Sequence, residues 1–481
     1  MLMMLGAASQ WILAAAAAAA VAALLWLAVS TLEWAWWTPR RLERALRAQG
    51  IRGNRYRLFT GDVPENVRLN REARKKPLPL GCHDIIPRVL PMFSKAVEEH
   101  GKPSFTWFGP TPRVMISDPE SIREVMSNKF GHYGKPKPTR LGKLLASGVV
   151  SYEGEKWAKH RRILNPAFHH EKIKLPKTVV KNAPLRIVKL NYLTVLLEMY
   201  QWYDNYDLEY TKIWFLPTKN NRRLREIERE VSKLLRGIIG KRERAIKNGE
   251  TSNGDLLGLL VESNMRESNG KAELGMTTDE IIEECKLFYF AGMETTSVLL
   301  TWTLIVLSMH PEWQERAREE VLHHFGRTTP DYDSLSRLKI VTMILYEVLR
   351  LYPPVVFLTR RTYKEMELGG IKYPAEVTLM LPILFIHHDP DIWGKDAGEF
   401  NPGRFADGIS NATKYQTSFF PFGWGPRICI GQNFALLEAK MAICTILQRF
   451  SFELSPSYIH APFTVITLHP QHGAQIKLKK I

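Results

Sequence analysis

The sequence predicts a mainly α body with small β-sheets, preceded by a single N-terminal transmembrane helix. Three observations predict it. The 22 residues from Trp11 to Leu32 carry no charge. A second long apolar segment, about Thr278 to His310, lies far along the chain and has helix-start and helix-stop residues at its ends. The strand-like pieces are short, and no internal repeat links them. With 45% apolar and 24% charged residues over 481 positions, the composition excludes a disordered chain, a collagen-like repeat and a polytopic membrane protein.

Taken in order, the elements begin with the apolar run. At about 1.5 Å per helical residue it extends about 33 Å, enough to cross a bilayer core. Trp34, Trp36 and Trp37 follow where an aromatic belt would sit, and then come Arg40, Arg41, Arg44, Arg47, Arg52, Arg55 and Arg57 against Glu43. No Lys or Arg precedes the run, so the positive-inside rule puts the body in the cytosol. A cleaved signal peptide is the competing reading, since the alanines offer cleavage sites. The stretch lacks a basic leader and is too long for one. Residues 1–33 therefore read as the anchor, 34–75 as a basic, partly helical connector, and 76–481 as one large domain. Pro77 and Pro79 stiffen the entry to it. Residues 104–117 read as a hairpin. Thr277 and Glu280 form a capping box for the long helix, and Pro311 closes it. That helix is apolar nearly all round, so it should be central. Further helices are expected from about Leu335 to Leu351, stopped by Pro353-Pro354, and from about Gln432 to Phe450. Strand-like pieces fall at 357–363, 367–380 and 464–479.

The formal charge of +17 comes mostly from two blocks. Residues 40–76 hold twelve Lys/Arg against four Asp/Glu, and 219–250 hold eleven against five. The first adjoins the anchor and can lie on anionic lipid. The second has apolar residues at helical spacing and reads as an amphipathic helix with a solvated basic face. No zinc finger, basic zipper or aromatic RNA-binding motif accompanies it, so no nucleic-acid partner is expected. The cysteines, Cys82, Cys285, Cys429 and Cys444, are far apart, which argues against a disulfide framework or a zinc ribbon and suits a reducing compartment.

Cys429 stands in Phe422-Gly423-Trp424-Gly425-Pro426-Arg427-Ile428-Cys429-Ile430-Gly431, directly before a helix. A lone cysteine is often a buried small hydrophobe. Here Gly425 and Gly431 permit tight turns and close approach to a flat ligand, while the helix N-terminus and Arg427 would stabilise a thiolate. A thiolate beside a bulky cofactor is what a haem iron takes as axial ligand. The pattern F-x-x-G-x-R-x-C-x-G resembles the haem-binding loop of the cytochrome P-450 family. By that resemblance the cofactor is haem b, Cys429 is the iron ligand, Arg427 pairs with a haem propionate, and Phe422 packs beside the thiolate.

Three further segments extend the resemblance. Glu347-Val348-Leu349-Arg350 matches the family's E-x-x-R. The pattern alone is weak, since Glu65/Arg68, Glu120/Arg123, Glu226/Arg229 and Glu315/Arg318 match it too. The Glu347 copy differs in lying on an apolar helix, where a buried pair needs a further partner. The family supplies an arginine in P-x-R-F, which Pro402-Gly403-Arg404-Phe405 fits, so Glu347, Arg350 and Arg404 resemble its structural triad. Ala291-Gly292-Met293-Glu294-Thr295-Thr296 resembles its oxygen-binding groove. Thr295 would steady bound dioxygen, and Glu294 would relay protons. In Trp157-Ala158-Lys159-His160-Arg161, Trp157 and Arg161 share a helix face and match W-x-x-x-R, which holds a propionate. Arg360 or Arg361 would hold the other side. His387-His388-Asp389 reads as structural rather than metal-binding.

The whole resembles the plant clan related to secologanin synthase, over about residues 34–174 and 213–481. The resemblance implies a monooxygenase on the endoplasmic reticulum membrane, single-pass, with its catalytic domain in the cytosol. Membrane lipid, O2, an apolar terpenoid or hormone-like substrate and a NADPH-dependent reductase would be its partners. The basic helix with Lys156, Lys159 and Arg162 would meet the reductase, and Leu287, Phe288, Phe290, Ala291, Val355, Val356 and Phe357 would line the groove. Residues 175–212 depart from the pattern. About four helices belong there, needing roughly 60 residues, and only about 40 are present. An isomerase or dehydratase independent of reductase, and an inactive truncated product, are the competing functions.

Overall fold

The computed structural model describes residues 2–128, 131–138, 143, 147–168, 219–249, 256–268, 275–331 and 333–481; the shortened stretch 175–212 lies outside them. The apolar run forms helix α1 (Leu2–Leu32), which continues through a π turn at Glu33–Trp37 into α2 (Thr38–Ala48). From Trp11 on, α1 buries none of its apolar surface against the body. Pro39 offers no N–H to the carbonyl of Ala35 four residues back, and the Tyr56 hydroxyl donates to that oxygen at 2.7 Å. Residues 34–75 are not a free connector. Leu42, Leu46, Ile51 and Tyr56 are buried in the main core, and β1 (Arg52–Gly53) joins the principal sheet.

That sheet has six strands in the order β1, β2 (Ser104–Phe108), β3 (Thr111–Met115), β8 (Thr378–Leu381), β5 (Leu358–Thr362) and β4 (Tyr133–Gly134). The expected hairpin is β2–β3, with Phe108 opposite Thr111. At the far edge β4 runs antiparallel to β5 with Gly134 opposite Arg361, so the next residue, Lys135, is directed toward Arg360. The piece expected at 367–380 divides into a hairpin of β6 (Met366–Leu368) and β7 (Ile371–Tyr373) followed by β8.

Among the helices that carry the site, α3 (Gly154–Leu164) and α4 (Lys219–Lys247) precede the central α5 (Thr278–Met309). The capping box forms as expected: the Thr277 hydroxyl accepts the Glu280 amide at 3.2 Å, and the Glu280 carboxylate accepts the Thr277 amide at 3.0 Å. α5 is long and apolar enough to cross a membrane, yet its partners are protein. Its first half packs with Val149, Ile163, Ile239 and Leu260; its second half, with Trp302 and Ile305, sits in the main core. α6 (Pro311–Phe325) follows at the proline. α7 (Lys339–Leu351) starts later than the sequence suggests, because residues 334–337 form a 3-10 turn. Its first three amides donate to the Glu320 carboxylate at 2.7–3.0 Å, which answers the orphan donors of that end. α8 (Gln432–Leu447) stops short of Phe450, since Phe450–Leu454 forms β9 and pairs with β12 (Ile476–Lys480). Between these strands β10 (Pro462–Thr464) and β11 (Leu468–Pro470) form a hairpin.

Candidate active site

The cysteine loop is closed by its own backbone. The Cys429 amide donates to the Phe422 carbonyl at 2.9 Å, and a 3-10 turn at Gly425–Arg427 delivers the chain to the start of α8. Gly425 has φ +71°, and a Cβ there would come within 2.6 Å of the Met126 carbonyl oxygen, so glycine is required on two counts. Gly431 has φ −90°, which any residue adopts; its use is its amide, which bonds the Cys429 sulfur. Cys429 lies deep among its neighbours yet is the most accessible of the four cysteines. Burial pushes its thiol up; the Gly431 amide and Arg161 pull the other way without overcoming it. The sequence assigned the stabilising charge to Arg427. The structure gives that part to Arg161, because Arg427 is turned to Glu153 at 2.5 Å and to the Tyr152 carbonyl at 2.8 Å.

Around this loop four cations converge. The Arg427 guanidinium carbon lies 4.6 Å from the Trp157 ring centre, and its Nη1 is buried with no partner among the described residues. Arg161 faces Arg427 and Cys429 from α3. Arg360 is buried, and its guanidinium is pushed down to about 10 by burial and by Arg427. Lys135 donates to the Val150 carbonyl at 2.6 Å; burial, Arg360 and Arg427 push its ammonium down to about 7. Glu153 is the carboxylate set among them. Strand alternation separates the two adjacent arginines: Arg360 enters this cluster, and Arg361 pairs with Glu376 at 3.3 Å on the other face. Lys135 and Glu153 gave no motif signal.

On α5 the Thr295 hydroxyl donates back to the Ala291 carbonyl at 2.6 Å, as its sequence context suggested. A Cβ on Gly292 would meet nothing within 4 Å, so this turn borders open space. Glu294 does not share it. Its carboxylate is buried and takes hydrogen bonds from the Thr467 hydroxyl and from His469 Nε2, each at 2.7 Å. Burial raises its carboxyl, and these two bonds more than offset that, holding it below the ordinary value. Of the residues expected to line the groove, Leu287 and Val356 are buried in the two cores instead, while Phe288 stacks obliquely on Phe168 at 5.0 Å.

Behind the cysteine loop the triad assembles. Arg350 Nη2 and Nε meet the two Glu347 oxygens at 2.7 and 2.8 Å, and Arg404 Nε reaches Glu347 at 3.1 Å. Arg350 also donates to the carbonyls of His387, Ala397 and Glu399. Asp396, which no motif indicated, takes Arg404 Nη2 at 2.9 Å. His387 and His388 are buried and held by backbone groups: His387 Nε2 accepts the Phe420 amide, and His388 Nε2 donates to the Leu351 carbonyl.

Comparison with known proteins decides what this arrangement belongs to. The family profile for Cytochrome P450 matches residues 88–183 and 177–477. The chain belongs to the cytochrome P450 family. It is 55% identical over 514 aligned positions to Cytochrome P450 CYP72A616 of Paris polyphylla, covering 98% of this chain and 99% of that protein. It is 47% identical to 11-oxo-beta-amyrin 30-oxidase of Glycyrrhiza uralensis and 46% to Secologanin synthase 1 of Catharanthus roseus. These matches cover 93% and 94% of this chain and 94% of each relative. A P450 is a monooxygenase, and its cofactor is haem b held through a cysteine thiolate.

The site fits that group on three observations. The Cys429 thiol is accessible. Among the described residues four cations outnumber one carboxylate there, which suits a ligand bearing two propionates. The unpartnered Arg427 Nη1 is a donor still to be satisfied. A pH prediction follows from Lys135. Its proton leaves near pH 7 in the protein alone, and two added carboxylates would restore it. Haem binding then takes up a proton above that pH, so affinity should fall as pH rises from about 7, by up to about tenfold per unit. Haem titration of the apoprotein across about pH 6.5 to 9 checks this; Lys135→Met should bind more weakly and lose most of the pH slope.

Proposed function

We propose that this P450 is a membrane-anchored enzyme of the endoplasmic reticulum that inserts one oxygen atom into an apolar, terpenoid-class small molecule, with electrons from a NADPH-dependent reductase. The observation that carries this reading is an accessible Cys429 whose next residue, Ile430, packs in the same cluster as Phe288 and Ala291 of α5, one turn before Thr295. The names of the relatives, an oxidase of 11-oxo-beta-amyrin and a secologanin synthase, support the substrate class.

In this reading haem b, when bound, supplies the electron transfer and the O–O cleavage that a thiolate ligand favours. The chain's own residues do the rest. Cys429 ligates the iron. Arg427, Arg161, Arg360 and Lys135 hold the two carboxylates, with Trp157 packed under Arg427 and Phe422 closing the loop. The Thr295 hydroxyl holds a proton at Oγ1 on the oxygen side, and Glu294 is the acid that replenishes it. Glu347, Arg350 and Arg404 fix the segment behind Cys429.

Support for the lipid partner lies beside the anchor. Trp34, Trp36, Trp37, Leu58 and Phe59 are exposed, and Trp34 lies at a tilt to Phe59 with ring centres 6.3 Å apart. On α3, Lys156 and Arg162 pair with Glu280 and Glu267 at 2.8 Å but remain about half exposed, which keeps them available to an acidic reductase.

A second reading rests on the break in the family match. The two matched stretches overlap at residues 177–183, and the alignment with the Paris polyphylla protein is longer than this chain. The first supports a break at the shortened 175–212, the second supports missing positions, and an inactive product is the reading that follows from such a loss. Reconstitution separates the readings. With reductase and NADPH, a terpenoid substrate should gain one oxygen atom, labelled when 18O2 is supplied. Unlabelled product formed without NADPH would favour the isomerase chemistry instead, and no haem uptake at all would favour the inactive product.

A further inference from the structure

Glu294 and Thr295 are neighbours in sequence, but side chains one residue apart on a helix diverge by about 100°. The Thr295 hydroxyl borders the open turn, and the Glu294 carboxylate leaves α5 toward the β10–β11 hairpin. There three polar atoms form a triangle: Glu294 Oε1 lies 2.7 Å from His469 Nε2 and 2.7 Å from Thr467 Oγ1, which are 2.8 Å apart. The Glu294 side chain is 5% exposed and the His469 side chain 30%, so the triangle has a dry end and a wet end. Holding the hairpin does not require this contact. Trp302 Nε1 donates to the Leu468 carbonyl at 2.7 Å, and the Leu468 amide donates to the Pro354 carbonyl at 3.0 Å.

We infer that His469 is the solvent-side member of the proton path to the oxygen-activating turn of α5, acting through Glu294. This rests on the monooxygenase reading above. For each oxygen inserted, O2 accepts two electrons from the reductase and two protons from solvent; one atom enters a C–H bond as hydroxyl, and the other leaves as water. His469 takes a solvent proton, passes a proton from Nε2 to Glu294 Oε1, and Glu294 delivers it toward Thr295. The other charged or titratable groups on elements packed against the hairpin are Arg88, which bonds Gln471 at 2.6 Å, and Arg74, over the Phe463 ring at 5.4 Å; His460 precedes the hairpin. None of them bonds the Glu294 carboxylate among the described residues.

The test compares His469→Gln with His469→Ala in the full-length, haem-loaded chain with reductase. Glutamine keeps an N–H donor for Glu294 but cannot carry a titrating proton. A relay predicts that both variants slow turnover about tenfold, enlarge the solvent deuterium isotope effect and flatten the pH–rate profile, with the reduced carbon-monoxide spectrum unchanged. A wild-type rate and pH profile in His469→Gln, with only His469→Ala affected, would make the contact a structural latch and overturn the inference. A readout independent of turnover is carbethoxylation of His469, followed by mass spectrometry. Glu294→Gln replaces the carboxylate that accepts from the ring at 2.7 Å and should change the rate of modification at a fixed pH; an identical rate would overturn the coupling. If the wild-type chain gives no NADPH-dependent oxygenation, the functional reading fails, while the carbethoxylation result still decides whether His469 and Glu294 share a proton.

Discussion

Replacing Cys429 by serine should lower turnover at least about a thousandfold, equivalent to about 4 kcal/mol of barrier at 1.36 kcal/mol per decade. The size follows from how little else in the site supplies the ligand's chemistry. The other three cysteines are partly or wholly buried elsewhere, so none can substitute. The protein by itself does not favour the thiolate, because burial outweighs the Gly431 amide and Arg161. The deprotonated form therefore depends on the iron, which inverts the local pKa logic. A serine hydroxyl, far more basic than a thiol, cannot follow. Because the backbone bond from residue 429 to the Phe422 carbonyl involves only main-chain atoms, the loop should keep its shape, and the loss should be chemical rather than structural. Turnover alongside thermal unfolding of the variant checks this: activity falls while the unfolding midpoint stays close to wild type.

Glu347→Ala should act in the opposite sense, removing the fold rather than the chemistry. Arg350 and Glu347 have no exposed side-chain surface, and Arg404 is nearly as buried. Their pairing supplies acceptors for two Arg350 donors, and three backbone carbonyls supply the rest. Taking away the carboxylate strands a buried guanidinium, which costs about 3–5 kcal/mol, a large part of a typical margin of about 5–15 kcal/mol. The Asn401 amide, which donates to Glu347 at 2.9 Å, loses its acceptor as well. Chemical denaturation should show that loss, together with low haem content on expression. A destabilisation under about 1 kcal/mol would mean the triad is not what holds the segment behind Cys429.

These two sites were legible in the sequence because each is a contiguous pattern or a short set of them. The loop from Phe422 to Gly431 encodes its own turn, and the capping box at Thr277–Glu280 marks the start of the central helix. What escaped sequence reading depends on contacts across the fold. Lys135 and Arg360 meet because β4 and β5 pair in one register, and a shift by one residue would have turned Arg361 inward instead. Glu294 could be named as an acid but not aimed, since its direction is fixed by Thr467 and His469 on a hairpin more than 170 positions away. Residues 34–75 looked like a linker because their charge is conspicuous, whereas their burial rests on four scattered apolar residues. The strand Phe450–Leu454 follows α8 with no glycine or proline between them, so only its partner β12 reveals it.

The central claim is that this chain folds around haem with Cys429 as its thiolate ligand. The most direct measurement is the absorption spectrum of the purified full-length protein, reduced and saturated with carbon monoxide. The account predicts a strongly red-shifted Soret band, lost in Cys429→Ser. A protein that takes up haem but gives an unshifted band, or one that takes up none, would contradict it.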